Sequence, residues 1–463
     1  MPPIAKTPSD AGRVPRPILL AYSLPAFVVA LPTIPVMVFL PPLYSGSLGL
    51  GLAVIGYILL AGRIFDTITD PLIGWLSDRH PIAGARRKPW IAIGAVFAGI
   101  GLVQVLNPPA GATAGYLLGW SIVLYAGWTM VAVPYLTWGA ELSRNYDQRA
   151  RITSWREGTA LIGIVAAGIV NAVAVQAGWS ETAAIGAIAW LAVATGVVLF
   201  PLLIWLVPEA DIPEARPTRT NQISQWRTLF ANRLFQRLLS TWFLNSLANG
   251  IPAALFFYYL EYGLGAGAEA RPIFILVYFA AAIVGIPLWL SLSRRWGKHK
   301  VWCMAMLAAA LAFIWVPFLP SGAYAAFAVV CLVTGLALGA DLALPPAMQA
   351  DVVDYDRLKF GADRAGQLFA LWGMGTKLAL AAAFGLALPG VAALGFDQTA
   401  PTEAGRTALV VIYAVVPCVI KVLAVAMIWR FPLTRQKHGI IVRRLARHHG
   451  SRQSEAFPAK GGC

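Results

Sequence analysis

Charged side chains are the scarcest class in this sequence: Asp, Glu, Lys and Arg together make up 12% of its 463 residues. A soluble domain carries about twice that fraction. So few charges cannot solvate the outside of a globule, which excludes a water-soluble protein and leaves the bilayer as the solvent. Acidic residues are scarcer than basic ones, 21 against 36, giving a net charge of +15. A nucleic-acid binder can show that balance, but here the basic residues cluster in short stretches between apolar runs, as cytoplasmic loops do. No nucleic-acid partner is expected. Cysteine is rare as well: Cys303, Cys331 and Cys418 lie in apolar runs and Cys463 ends the sequence. No metal spacing or disulfide framework emerges, so they read as small core residues. Residues 1–17, polar and proline-rich, show no signal-peptide pattern. The sequence has no nucleophile elbow, metal box, phosphate loop or ATP-binding domain, so an enzyme or a bound cofactor has no positive support.

What is abundant is apolar length, with 58% of residues hydrophobic. A membrane-spanning helix needs roughly 20 mostly apolar residues. Such runs fall near 17–41, 50–77, 89–107, 115–141, 157–177 and 183–207, then 236–262, 271–293, 301–319, 323–349, 364–390 and 407–430. The pattern predicts an all-α membrane protein of twelve transmembrane helices in two six-helix bundles, 1–207 and 236–431. A polar cytoplasmic linker (208–235) separates them and an Arg- and His-rich cytoplasmic tail (432–463) follows. Loops after even-numbered helices carry Arg79, Arg86, Arg87 and Lys88, then Arg144, Arg149 and Arg151, then Arg294, Arg295, Lys298 and Lys300. The opposite loops hold little beyond Arg271 and Arg406. Both termini are therefore expected in the cytoplasm.

An internal echo relates the halves. Pro71–Arg79 leads into the basic run Arg86–Trp90, and Pro287–Arg295 leads into Gly297–Trp302. Both lie at the cytoplasmic end of the second helix of their half. Parallel six-helix repeats are how rocking transporters are built, with the site between them at mid-membrane.

Helix two carries Arg63, Asp66 and Asp70 at i, i+3 and i+7, on one face, flanked by Thr67 and Thr69. Each ionised side chain at mid-membrane costs at least about 2.5–3.5 kcal/mol on insertion scales, so three together need a reason. One is a cation site, where carboxylate and hydroxyl oxygens suit Na⁺ and a carboxylate can instead take H⁺. The other is an ion-pair network that only orders the bundle. Lys377 also lies mid-span, in Trp372–Lys377, and must face a cavity or a carboxylate. Lys421 is nearer the cytoplasmic end of its helix and is expected to snorkel. Asn245 and Asn249 share a face of helix seven and serve either a solute polar group or helix–helix hydrogen bonds. Asp341 sits inside helix ten.

The segment Gly62–Asp78 (GRIFDTITDPLIGWLSD), with Arg87–Trp90 and Asp351–Tyr355, resembles the glycoside–pentoside–hexuronide:cation symporters, the melibiose permease-like family of the major facilitator superfamily. The resemblance extends over the twelve-helix plan. It implies a secondary active symporter working by alternating access, with Asp66, Thr69, Asp70 and Thr129 in the cation site. Na⁺ at Asp66 and Asp70, or H⁺, would be the coupling ion, and Thr69 replaces the family's asparagine. Thr129 could equally bond its own helix. The resemblance makes Arg156 a solute-facing arginine, where position alone suggests an interface arginine. It also places Lys377 near both sites, and it makes Gly74–Lys88 the superfamily's loop between helices two and three. The carboxylates and tryptophan that touch sugar in the family fall at Ala30, Ala132 and Leu136, so that wall of the pocket is expected to be apolar.

These readings give a solute site of Arg156, Asn245, Asp341, Trp372 and Lys377, with Asp341 and Lys377 paired. They give a gate of Asp78, Arg86, Arg87 and Lys88, placed where the halves meet. The expected partners are a small organic solute, a coupling cation and membrane lipid, for a monomer in the bacterial inner membrane. The solute is expected to be glycoside-like or another small organic molecule; the alternative is an amphiphile such as a lysolipid, and a non-transporting sensor or assembly factor comes third.

Overall fold

In this computed structural model the structure describes residues 14–46, 48–80, 82, 85–143, 146–209, 231–267, 270–360, 364–398, 400–441 and 443–445. Most of the linker and tail, and Arg144, therefore lie outside the described residues, as do the side chains of Asp78, Arg79 and Arg149.

The described chain is helical throughout, apart from short connections. In order, α1 is Arg16–Gly46, broken by a π-helical turn at Pro35–Phe39. It is followed by α2 Leu52–Arg79, α3 Lys88–Leu106, α4 Ala114–Glu141, α5 Tyr146–Gln176 and α6 Glu181–Leu206. The second half comprises α7 Arg233–Tyr258, which a π turn continues to Gly263, α8 Arg271–Trp296, α9 Lys298–Phe313, α10 Tyr324–Phe360, α11 Ala365–Ala393 and α12 Glu403–Ile428. Among the described residues 11 helices are long and apolar enough to cross a membrane. The remaining one, α7, has the length, but Arg237, Thr241, Asn245, Ser246 and Asn249 lower its hydropathy. Those polar residues face inward: Thr241 and Asn245 are fully buried.

Helix ends follow recognisable chemistry. Thr113, Ser180 and Thr402 cap α4, α6 and α12 by accepting backbone N–H bonds. The largest departures from the sequence expectation are α5, which begins as early as Tyr146, and α10, which runs on to Phe360, so that Asp351–Tyr355 lies on its last turns. The outer faces carry exposed Trp190, Val197, Val198, Trp205, Val284 and Phe318. In water such a surface would aggregate; in lipid it is the solvent-facing side.

Within the N-terminal half α3 and α4 touch backbone to backbone. A Cβ on Gly127 would lie 2.3 Å from the Ala98 nitrogen. Between the halves, α2 packs on α11, α5 on α8, and α1 on α7. At the non-basic, extracellular end a Cβ on Gly56 of α2 would meet Pro389 of α11 at 2.8 Å. There Ser45 bonds to Tyr258 (2.8 Å) and accepts from Gln398 (2.9 Å), Arg271 pairs with Glu181 (3.3 Å), and Phe39 packs on Phe257. These contacts join the halves at the extracellular end.

Gly127→Ala should cost about 1–3 kcal/mol of stability through overpacking. Gly119→Ala, on the same helix with open space at its Cβ, should cost nothing. Equal thermal midpoints for the two variants would show that the close crossing does not matter.

Candidate functional site

The helical register of α2 brings Arg63, Asp66 and Asp70 to the face that meets α4 and α11. Asp66 is 1% exposed. Its Oδ1 accepts from the Thr129 hydroxyl of α4 at 2.7 Å. The Lys377 Nζ of α11 lies 2.9 Å from Asp66 Oδ2 and 2.6 Å from Asp70 Oδ2, bridging the two carboxylates. Arg63 approaches Asp66 Oδ2 at 3.8 Å and stacks on Tyr125. The Thr69 hydroxyl bonds to backbone carbonyls of its own helix and sits 3.5 Å from that of Thr129. Asp70 Oδ1 is buried and has no hydrogen-bond partner. Asp66, Thr69, Asp70 and Thr129 thus form one cluster of hard oxygens, a donor set that suits a small cation. An ammonium already stands within it, and one carboxylate oxygen is left over.

The pairing of Asp341 with Lys377 is not what the structure has. Lys377 belongs to α2's carboxylates, because α11 packs directly on α2. Asp341 is held within the C-terminal half, accepting from Asn249 Nδ2 at 2.8 Å and from the Trp302 indole at 2.7 Å. Lys421 does not snorkel either. It is 8% exposed and donates to Asn245 Oδ1 (2.9 Å) and Asn249 Oδ1 (2.8 Å). The sequence places Lys421 near the cytoplasmic end of its helix, but α12 packs against the asparagine face of α7 and turns the lysine inward. Those two asparagines, four residues apart and each with a free carbonyl, were the signal for a buried donor.

The remaining expected solute residues do not converge on this cluster. Trp372 is buried and stacks on Trp242, with centroids 4.9 Å apart and planes 14° from parallel. It is part of the C-terminal core. Arg156 pairs with Glu157 and lies beside Tyr22 and Tyr135 in the N-terminal half. Ala30 is buried against Gly163, while Leu136 is 47% exposed.

The expected gate also sits differently. Arg87 is buried, donating to Ser77 (2.9 Å) and Glu141 (2.8 Å). The backbone N–H groups of Arg86, Arg87 and Lys88 all donate to the Glu209 carboxylate, at 3.0, 2.8 and 2.8 Å. Lys88 stacks on Trp138, whose indole donates to Pro208. These partners belong to α2, α4 and the end of α6, so the loop ties elements of the N-terminal half together. Asp78's side chain lies outside the described residues. The C-terminal echo has its own tie: Lys298 pairs with Asp351 of α10 at 2.6 Å.

The chain belongs to the MFS/sugar transport protein family, whose profile matches residues 21–435. It is a multi-pass membrane transporter and not an enzyme. It is 26% identical over 422 residues to the inner membrane symporter YicJ of Escherichia coli (strain K12), covering 89% of this chain and 90% of that one. It is 24% identical over 426 residues to the sodium-dependent lysophosphatidylcholine symporter 1 of Gallus gallus, covering 82% and 79%. The crystal structure of a D-xylose-proton symporter superposes with a TM-score of 0.67 at 17% identity, covering 90% of this chain and 98% of that chain.

Glu209→Ala should remove the acceptor from three N–H groups at the start of α3, costing about 1 kcal/mol. Faster hydrogen exchange at Arg86–Lys88 is the expected readout. Unchanged exchange would mean the carboxylate does not hold this loop.

Proposed function

We propose that the protein is a cation-coupled symporter, using Na⁺ or H⁺, of a glycoside-like or other small organic solute. It would act as a monomer in the bacterial cytoplasmic membrane. The observation that carries this is the Lys377 ammonium lying between Asp66 and Asp70 across the two halves.

Two carboxylates in lipid cannot both stay ionised without compensation. Lys377 and Arg63 supply it. An arriving Na⁺ would be held by Asp66, Asp70, Thr69 and Thr129, and it would contribute a positive charge and nothing more. It would compete with the ammonium for Asp66 Oδ2 and Asp70 Oδ2. A proton arriving on Asp70 would weaken the hold on Lys377 in the same way. Because Lys377 belongs to α11, losing its grip on α2 releases the halves at mid-membrane. Cation binding is thereby linked to the relative position of the halves, which alternating access requires. The N-terminal half, tied by Arg87 and Glu209, would move as a unit.

A second reading is transport of an amphiphile. Exposed Leu136 and half-buried Ala132 favour it, since they present apolar surface where the resemblance would place hydrogen bonds to sugar.

Asp66→Asn/Asp70→Asn should fold, since Asn preserves shape, and should lose uphill solute accumulation in proteoliposomes under a Na⁺ or H⁺ gradient. Accumulation at the wild-type level would end the cation-site assignment. Lys377→Ala should melt below the wild type in cation-free buffer and gain more stability from added cation. A smaller gain than wild type would show that ammonium and cation do not compete.

A further inference from the structure

A cavity of about 140 Å³ lies among α7, α8, α9, α10 and α12 of the C-terminal half, with Val38 of α1 at its edge. Its walls are mostly apolar, including Phe256 and Phe313, with Thr334 and Tyr278 alongside. Asp341, Asn249 and Lys421 also line it. None of these belongs to the Asp66–Lys377 cluster.

A carboxylate and an ammonium buried near each other would be expected to close into a direct pair. Here they do not. Asn249 stands between them, giving its N–H to Asp341 and its carbonyl to Lys421. Both ions retain bonding capacity. The ammonium has three N–H donors, and two go to Asn245 and Asn249. Each Asp341 oxygen accepts one bond and has a further lone pair. The Asn245 Nδ2 group is fully buried and has no partner at all. An idle buried amide next to Lys421, and two cavity-lining ions with bonding capacity to spare, are costly to maintain unless something polar visits them.

Charge and size define the visitor. Asp341 and Lys421 cancel, so the site has no net charge to attract an ion. A group that donates to a carboxylate and accepts from an ammonium is a hydroxyl, and two adjacent hydroxyls would serve both ions at once. An engineered cavity of about 150 Å³ holds benzene, a molecule of about six heavy atoms. Glycerol has that size, and so does one edge of a sugar ring.

We infer that Asp341, Asn249 and Lys421 form a binding site in the C-terminal half for the vicinal hydroxyls of a neutral polyol. The site concerns binding alone and does not depend on cation coupling at Asp66 and Asp70. Its source is either a free small polyol or the hydroxylated edge of a sugar.

The test uses full-length protein in lipid nanodiscs and ligand-observed saturation-transfer NMR. The probes are glycerol, D-xylose, 1-propanol and glycine. Saturable binding of glycerol or D-xylose is expected, with 1-propanol and glycine at least tenfold weaker. Binding of glycerol alone identifies a small free polyol, and binding of D-xylose as well identifies a sugar edge. Asp341→Asn and Lys421→Met should each weaken polyol binding at least tenfold. Should either fail to fold, Asp341→Asn/Lys421→Gln keeps hydrogen-bonding groups without the charges and should show the same loss. Wild-type affinity in these variants, equal binding of glycine, or no polyol binding to the wild type would each overturn the inference. Cation-dependent melting, followed in parallel, reports the Asp66–Asp70 site, so failure there is seen separately.

Discussion

The ammonium of Lys377 between two carboxylates is the contact on which the rest of the arrangement depends. Asp66 is almost fully buried on a helix that also faces lipid, so its charge is tolerable only with a close counter-charge. The N-terminal half has Arg63 for this, but at 3.8 Å from one oxygen and turned onto Tyr125 it compensates only part of two negative charges. The rest comes from the other half. A requirement of one helix is therefore met by a residue more than 300 positions away, which makes docking of α2 on α11 a condition of keeping the carboxylates ionised.

The other links between the halves are weaker by kind. Ser45, Tyr258 and Gln398 form neutral hydrogen bonds, each worth about 1 kcal/mol net. Arg271 crosses to Glu181, a partly exposed carboxylate, where an ion pair contributes about 0–1 kcal/mol. Such contacts can open. The ties inside each half are of a different sort. Arg87 is buried between Ser77 and Glu141, and Arg364 makes a two-point contact with buried Asp356, which also accepts from Asn232. Strong internal ties and weak mutual ones describe two bodies that rock against each other.

Much of this was legible in the sequence, for physical reasons. Twelve apolar runs, basic loops and a repeated Pro-to-Trp segment are local signals, and a bilayer enforces them residue by residue. The face shared by Asp66 and Asp70 follows from helical periodicity alone. Which charges pair is not local. Lys377 and Asp341 looked like partners because each was an isolated ion in the same half, yet α11 turns its lysine to α2 and α12 turns Lys421 to α7. Helix length gave depth in the membrane but not azimuth, and azimuth decides the partner. The tie at Arg86–Lys88 was hidden for a similar reason. Its acceptor, Glu209, lies in a segment that reads as solvated linker, and only the packing of α6 beside α3 brings it close.

The two buried charge clusters are each neutral, and that shared property has different consequences. Around α2, two carboxylates are balanced by a lysine and an arginine, so any added monovalent cation leaves an excess positive charge in a low-dielectric site. Such an excess is costly enough that an existing cation must move away, and the one on the opposite half is Lys377. Around α7, Asp341 and Lys421 are balanced through Asn249, and a neutral visitor leaves that balance intact. It therefore needs no ion to move, and it can be accommodated by hydrogen bonds alone. Under the proposed cation coupling, the first cluster would respond to ions by releasing a contact between the halves. The second is built on charged and polar residues of one half, with Val38 of the other at the cavity's edge, and a neutral guest would add hydrogen bonds to it.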